Sequence, residues 1–408
     1  MHIAHFTNTY KPNVNGVVRS ISTFREGFIR SGHQVFIFCQ QADDFESDEP
    51  FVYRYPALKI PGFDYSAAVP VSRFVDKLLP TLKLNVIHSN HPTLLGDAAA
   101  NYAEKYDLPL VFTFHTRYVE YAGGYLSNIP FAKGFVEGQL VDSIGRYMQR
   151  AQHIITPSDS IKDSLAKSAG ISERVTTIPT GIDFEHFQQA DGQAVREKYN
   201  LGDKKVLVTI SRLAEEKNVK TLLKAVKEVM DVRDDVLLLV IGDGPQRSDL
   251  EKFAADIGIS KRVRFTGLVP FEAVPNHLKA GDLFIYSSIT ETQGLVTAEA
   301  MATGLPVVAV DATGTSDTVE DGVQGLLTAN DSSALAQAAL RVLDDDALYA
   351  QFQETAVARA KDLDMMSQAE KMLDVYRQAI EDKKAGRSVQ VDMKRLHATI
   401  EDDNKSLG

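Results

Sequence analysis

Short apolar runs that alternate with longer amphipathic stretches, in two successive sets, constrain most strongly what this chain can fold into. The first set is Ile3–Thr7, Val35–Cys39, Val86–Ser89, Leu110–Phe114 and His153–Thr156. Each meets Gly, Pro, Asn, Ser or His within a few residues, and helical patterns such as Val17–Arg30 and Leu94–Tyr106 lie between them. A run that is apolar at nearly every position suits a strand buried on both faces, which is the state of a parallel sheet covered by helices. The pattern restarts at Lys205–Ile210, Val236–Ile241, Val263–Phe265, Leu283–Tyr286 and Pro306–Val310. Helical patterns follow at Val219–Met230, Gln246–Ile257, Ala273–Ala280 and Leu295–Thr303. The reading is α/β: two doubly wound Rossmann-like domains in series, facing across a cleft, with the break near Pro179–Asn200. Beyond Ser332 the chain reads as helices at Ala334–Leu343, Ala347–Lys361 and Met365–Glu381, then a polar, charged stretch that reads as a frayed tail or a lone surface helix.

The 408 residues, 44% of them hydrophobic, supply two cores of ordinary size. A formal net charge of −11 excludes a general nucleic-acid binder. Residues 1–190 carry 17 Lys and Arg against 19 Asp and Glu, and the remainder carries 27 against 36. The less acidic first half is the one able to approach an anionic surface. The single cysteine, Cys39, sits in an apolar run and reads as a buried strand thiol. The N-terminus enters a strand at once, without the basic region and apolar core of a signal peptide, and no run reaches the ~18 apolar residues of a membrane span. The expected location is cytoplasmic, with any membrane contact peripheral on the inner face of the cell membrane.

In doubly wound sheets the ligand lies beyond the carboxyl ends of the strands, so the residues after each strand carry the chemistry. After Leu283–Tyr286 comes Thr290-Glu291-Thr292-Gln293-Gly294-Leu295-Val296-Thr297-Ala298-Glu299. Gly294 permits close backbone approach, and helix-start amides beside it suit a phosphate. Glu291 in the loop can accept bonds from sugar hydroxyls, whereas Glu299 falls within an apolar helix. After Lys205–Ile210, Arg212 and Lys217 stand at the mouth of the sheet, where two cations can clamp a diphosphate. A solvated loop explains that pair equally well. Gly16 opens the first helix after Ile3–Thr7, where backbone can meet phosphate or sugar. Ile241-Gly242-Asp243 ends another strand in a turn. His115 closes Leu110–Phe114 and can orient a hydroxyl or handle a proton. Arg117, Tyr118, Glu120 and Tyr121 follow it. His88 and His91 flank Asn90 but lack a third ligand at metal spacing, so no metal is assigned. Both the dinucleotide and the Walker glycine patterns are absent.

With these residues in place, the chain resembles the family-4 retaining glycosyltransferases of the GT-B fold, from Met1 to about residue 380. The most specific element is Glu291-x7-Glu299, continued by Ala300-Met301-Ala302-Thr303-Gly304-Leu305-Pro306-Val307-Val308. Arg212 and Lys217 match the family's phosphate pair, Gly16 its glycine loop, and Thr180-Gly181-Ile182-Asp183 its interdomain segment. The resemblance implies an acceptor-binding domain over 1–185 and a nucleotide-sugar domain over 186–364. A helix at 365–383 would pack back on the first domain, with a polar tail at 384–408. It further implies that Glu291 bonds the transferred sugar, Glu299 the ribose, and Arg212 and Lys217 the diphosphate, with His115 contacting the sugar. Gly242, Gln293, Gly294 and Leu295 would line the donor site. No cofactor is implied beyond the donor, UDP-glucose first. Many members carry Phe where this chain has Gln293.

His115-Thr116-Arg117-Tyr118 with Glu120-Tyr121 resembles the diacylglycerol glucosyltransferases and related glycolipid synthases. Arg117, Tyr118 and Tyr121 would then contact a lipid acceptor at an anionic membrane surface. Arg73–Lys83 and Phe131–Arg150 mix cations with apolar residues in the manner of bilayer-surface helices, or of ordinary packing helices. A soluble acceptor remains open, as does, more remotely, a nucleotide-sugar epimerase.

Overall fold

The computed structural model describes residues 1–13, 15–42, 45, 49–59, 66–115, 133–291 and 293–398. Two compact units divide the chain: Met1–Gly181 with Met366–Gly408, and Ile182–Met365.

The first unit contains β1 (His2–Thr7), α1 (Gly16–Arg30), β2 (Gln34–Gln40), β3 (Val52–Tyr55), β4 (Ala57–Lys59), β5 (Ser66–Ala68), α2 (Arg73–Leu78), β6 (Val86–Ser89), α3 (Leu95–Lys105), β7 (Leu110–Thr113), α4 (Lys133–Arg150), β8 (His153–Thr156), α5 (Asp159–Ala169) and β9 (Val175–Thr177). Seven of the strands form one sheet, ordered β3-β2-β1-β6-β7-β8-β9 and parallel throughout. β4 and β5 pair as a separate antiparallel ribbon. Strand order reverses between β1 and β6, which pair from Ile3↔Val86 to Phe6↔Ser89. That reversal opens a crevice beyond the two strand ends.

Alternation along each strand builds two apolar layers. Ala4, Phe6, Phe36, Phe38 and Phe112 face one, with α3 and α4. Ile3, Val35, Ile37, Cys39, Val86 and Val111 face the other, with Val18, Ile21, Phe24 and Phe28 of α1. Cys39 is fully buried.

The second unit comprises α6 (Phe184–Gln188), α7 (Gln193–Lys198), β10 (Lys205–Ile210), α8 (Val219–Val232), β11 (Val236–Ile241), α9 (Arg247–Asp256), β12 (Val263–Phe265), α10 (Val274–Lys279), β13 (Leu283–Tyr286), α11 (Leu295–Ala302), β14 (Val307–Val310), α12 (Thr315–Thr318), β15 (Gly325–Thr328), α13 (Ser332–Asp344) and α14 (Asp346–Asp362). Its parallel sheet runs β12-β11-β10-β13-β14-β15, and the reversal falls between β10 and β13. The doubly wound reading of both halves therefore holds.

Helix α15 (Met365–Lys384) belongs, from Met366 onward, to the first unit. Ala369, Met372, Leu373, Tyr376 and Ala379 recur at three- and four-residue spacing and lie in the same apolar layer as α1. The stretch expected to be a polar tail is not polar throughout. Val389 and Leu396 are buried in the first unit's core, Val389 N–H donates to Ala151 O (2.9 Å), and Asp392 N–H donates to Ala169 O (2.9 Å). Val389 and Leu396, with the partly buried Val391 and Met393, dock this segment on the core.

The Pro179–Asn200 break, a polar stretch without strand character, holds the two short helices α6 and α7. Besides the β4–β5 ribbon, three strands of the parallel sheets escaped the sequence reading: β3, β9 and β15. All three lie on sheet edges and are only partly buried, so they lack the continuous apolar run that marks a central strand. No helix among the described residues is long and apolar enough to cross a membrane.

Candidate functional site

In the second unit the loops after β10 and β13 are tied together at the strand-order reversal. Ser287 Oγ donates to the carbonyls of Lys217 and Asn218, both at 3.0 Å, and Asn218 Nδ2 returns a bond to Ser287 O (3.3 Å). Asn218 takes the left-handed conformation, φ 53°, a turn that Asn tolerates better than most residues. The clamp brings Lys217 against Glu291.

Three donors converge on one oxygen of that carboxylate. Lys217 Nζ lies 2.6 Å from Glu291 Oε1, Tyr286 Oη donates at 2.6 Å, and Ser288 Oγ donates at 2.7 Å. Glu291 Oε2 has no hydrogen-bond partner among the described residues. The Lys217 and Glu291 side chains are 19% and 15% exposed, so their attraction is only lightly screened. Burial first, then the charge of Glu291, pushes the Tyr286 hydroxyl well above its ordinary range, so it stays a donor.

Glycines hold the surrounding loops at backbone contact. Gly242 has φ 124°, and a Cβ there would sit 2.0 Å from the Ser211 carbonyl. A Cβ on Gly244 would meet Leu213 O at 2.4 Å. Leu213 N–H donates to Asp243 O (2.9 Å), so the turns after β10 and β11 form one layer. Gly294 (φ 69°) is the N-cap of α11, and Leu295 is the first residue of that helix. Gln293 is buried, and its carbonyl accepts from Thr318 Oγ1. Glu299, one turn into α11, is fully buried among Ala298, Ala300, Met301 and Ala302. A buried carboxylate in an apolar helix is costly, so Glu299 is not the solvated surface charge that an isolated helical Glu would be. Arg212 is disposed differently from Lys217. Its guanidinium pairs with Glu216 at 2.9 Å and is 67% exposed, at the solvent side of the loop.

In the first unit the loops after β1 and β6 are likewise bonded at the reversal. Asn8 Nδ2 donates to Thr93 O (3.1 Å), Leu95 N–H donates to Asn8 Oδ1 (3.0 Å), and Asn8 N–H donates to His91 Nδ1 (3.1 Å). Glu49 ties the loop down by accepting from Tyr10 Oη (2.9 Å), Arg25 (2.6 Å) and Lys11. Asn15 caps α1 through Val18 N–H (3.0 Å), and the space where Gly16 would carry a Cβ is open within 4 Å.

His115 is buried, and its Nε2 lies 3.0 Å from Asn90 Oδ1. Behind it stand Asn90, His5, His88, Tyr376 and Thr113, all buried. Burial holds His115 and His5 down at about 3 and His88 well below its ordinary range. The imidazoles are therefore neutral and act as hydrogen-bonding groups, not as cations. Arg117, Tyr118, Glu120 and Tyr121 lie outside the described residues.

The two amphipathic stretches differ. In α4, Val141, Ile144, Tyr147 and Met148 are buried in the core, which makes its described part a packing helix. At α2, Phe74 is 62% and the preceding Val71 67% exposed, beside exposed Arg73 and Lys77.

Sequence reasoning missed Tyr286, Ser288, Asn90, His5 and Tyr376. Ser288 and Tyr286 had a signal, since both adjoin the strand end that carries Glu291. Tyr376 had none, because a tyrosine at an apolar helix position reads as packing.

Comparison with known proteins bears on this geometry. Residues 14–186 match the family described as Glycosyltransferase Family 4, and residues 191–359 match Glycosyl transferases group 1. A Streptococcus pneumoniae protein named alpha-monoglucosyldiacylglycerol synthase is 34% identical over 324 residues, 76% of this chain and 71% of that protein. An Acholeplasma laidlawii protein of the same name is 30% identical over 342 residues, 80% of this chain and 84% of that one. Among solved structures, the Anabaena protein HepE in complex with UDP aligns with a TM-score of 0.74 at 20% identity, over 92% of this chain and all of that one.

Proposed function

The chain belongs to the family-4 glycosyltransferases of GT-B type, and on that premise we propose that it moves glucose from UDP-glucose to a diacylglycerol-type lipid at a membrane surface, with retention at the anomeric carbon. The observation that carries the sugar-transfer reading is the half-occupied Glu291 carboxylate. Three donors anchor Oε1, and Oε2 is left to accept from a sugar hydroxyl. Lys217, already an ion pair with Glu291, supplies the positive charge that a departing diphosphate needs. Arg212 serves the same diphosphate from the solvent side, and its exposure leaves it free to turn. Glu299 would take the ribose, while Gly242, Gln293, Gly294 and Leu295 line the donor. His115 would bond a substrate hydroxyl.

In the proposed step the acceptor hydroxyl oxygen bonds to C1 of the sugar on the face that the phosphate leaves. The C1–O bond to phosphate breaks, and the hydroxyl proton passes to the departing phosphate oxygen. An α-linked product from an α-configured donor requires retention, and the name shared by the two relatives specifies the alpha product.

The lipid acceptor rests on those relatives, and the exposed Val71 and Phe74 among Arg73 and Lys77 add a surface suited to an anionic bilayer. A soluble acceptor has its own support. A 2-deoxystreptamine glucosyltransferase from Streptomyces kanamyceticus is 34% identical over 219 residues, 52% of this chain.

One experiment separates the two. The enzyme is given UDP-glucose with diacylglycerol in anionic vesicles, and separately with 2-deoxystreptamine or free sugars. Vesicle co-sedimentation and an α-glucosyl lipid, identified by its anomeric proton, are expected. Transfer to the soluble acceptor alone, with no vesicle binding, would replace the lipid reading.

A further inference from the structure

The five buried polar side chains behind His115 form a chain whose first links are oriented by a single backbone carbonyl. His115 Nε2 lies 3.0 Å from Asn90 Oδ1. Asn90 Nδ2 is 3.3 Å from Phe6 O and 3.4 Å from His5 Nδ1. His5 Nε2 is 3.5 Å from Tyr376 Oη, which is 2.6 Å from His88 Nδ1. His88 Nε2 ends the chain 2.6 Å from Thr113 Oγ1. β1 and β6 bring His5 opposite His88 in register, and both point into the layer where α15 lies.

A carbonyl oxygen only accepts, so Phe6 O requires the amide nitrogen of Asn90 on its side. Asn90 Oδ1 therefore faces His115, and a neutral His115 must carry its proton on Nε2 to donate to it. On the other side, Asn90 Nδ2 donates to His5 Nδ1, so His5 holds its proton on Nε2 and donates to Tyr376 Oη. The tyrosine proton is then directed to His88 Nδ1, and His88 donates from Nε2 to Thr113. The links from Phe6 O through Asn90 to His115 and to His5 admit one direction, since reversing any of them sets two donors or two acceptors against each other, and the Tyr376 and Thr113 hydroxyls, which can donate or accept, fit the roles given. The low pKa values that burial imposes on the three imidazoles agree with their neutrality.

The consequence falls on the outer nitrogen. His115 Nδ1 has no partner among the described residues and is left unprotonated. We infer that Asn90 is a positioning residue that locks His115 in the Nε2–H tautomer, and that Tyr376 on the terminal helix anchors the lock through His5. His115 then presents Nδ1 as a fixed hydrogen-bond acceptor for a hydroxyl of the bound substrate. The chain needs α15 to be complete, since among the described residues only Tyr376 bridges His5 and His88. The substrate clause rests on the glycosyltransferase reading, but the tautomer lock does not.

The test uses the full chain with 15N-labelled histidine, 10 residues in all. Side-chain 15N spectra distinguish protonated from unprotonated ring nitrogens, and His115→Gln assigns the His115 signals. Expected in the wild type is one His115 tautomer, Nε2–H, unchanged from pH 8 to pH 5. Asn90→Ala should give mixed tautomers at His115. Tyr376→Phe, which keeps the ring and removes one hydroxyl, should mix the tautomers of His5 and His88 and lower kcat about 2- to 10-fold, the value of one hydrogen bond. KM for the donor should change less than kcat. Phe28→Leu serves as the packing control. Phe28 contacts both His5 and Tyr376 (ring centroids 6.2 and 5.6 Å) without a hydrogen bond, so it should lower the melting temperature and leave the tautomers alone. An Nδ1–H His115 in the wild type, or unaltered tautomers and kcat in folded Tyr376→Phe, would overturn the inference. A locked His115 whose replacement leaves transfer at full rate would instead remove His115 from the substrate site and leave the lock standing.

Discussion

Replacing Glu291 by Gln tests the site most directly, because it keeps the side-chain volume and removes one charge. In the native loop Glu291 Oε1 accepts from Lys217, Tyr286 and Ser288 at 2.6, 2.6 and 2.7 Å. The amide oxygen of Gln can still accept from the two hydroxyls, so two neutral bonds persist. What is lost is the charge-assisted bond to Lys217, worth about 1.5–3 kcal/mol for a pair this sheltered. For a unit of this size that lowers the melting temperature by about 3–10 °C without unfolding the protein. A sugar hydroxyl bonded to a carboxylate loses a similar charge-assisted bond, so kcat/KM should fall about 10- to 150-fold. The assay is initial-rate transfer from UDP-glucose beside a calorimetric melt, with Lys217→Met and the double variant completing a cycle. The cycle should show coupling of at least about 1 kcal/mol in stability, since each single change strands the other partner. A folded Glu291→Gln enzyme with near-native kcat/KM would refute the sugar-binding role. Zero coupling would refute the ion pair as a working contact.

Arg212→Ala should leave stability within about 0.5 kcal/mol, because its partner Glu216 is met at the surface, yet raise the donor KM; an unchanged KM would remove Arg212 from the diphosphate site. Gly242→Ala should abolish UDP binding or soluble expression, since the new Cβ would lie 2.0 Å from the Ser211 carbonyl at φ 124°, and calorimetric titration with UDP reads the outcome. The buried histidines make the first unit acid-sensitive. His5, His88 and His115 have pKa values held below the ordinary 6.5, so the unfolded chain binds protons that the folded unit refuses. Their stabilising effect is complete above pH 6.5 and is lost as pH falls toward their folded values. From pH 7.5 to 5.5 each costs about 1.4 kcal/mol, about 4 kcal/mol for the three. Amide hydrogen exchange should therefore rise in β1, β6 and β7 at pH 5.5 well before β10 and β13, and equal protection of both sheets would contradict it.

Much of this protein was legible in the sequence, and the reason is burial. Strands covered on both faces must be apolar at nearly every position, so Val86–Ser89, His153–Thr156, Lys205–Ile210, Val236–Ile241 and Leu283–Tyr286 could be read to the residue. The edge strands β3, β9 and β15 could not, since a strand with one neighbour needs no such run. Strand order within each sheet was also invisible, although it is the reversal between β1 and β6, and between β10 and β13, that decides where the crevices lie.

The positions of Glu291, Arg212, Lys217 and His115 after strand ends were equally plain, because a parallel sheet sends every loop at its carboxyl edge to one side. Their partners were not. Sequence spacing gave Arg212 and Lys217 equal standing, and only the Ser287–Asn218 clamp turns Lys217 to Glu291 and leaves Arg212 at the surface. Tyr376 stands 288 residues from His88, at a helix position that packing alone explains. Local sequence reports what a residue must be buried against. Which polar atoms meet inside that layer is settled when α15 closes over β1 and β6, because a hydrogen bond needs two atoms within about 3 Å and no local pattern encodes that meeting.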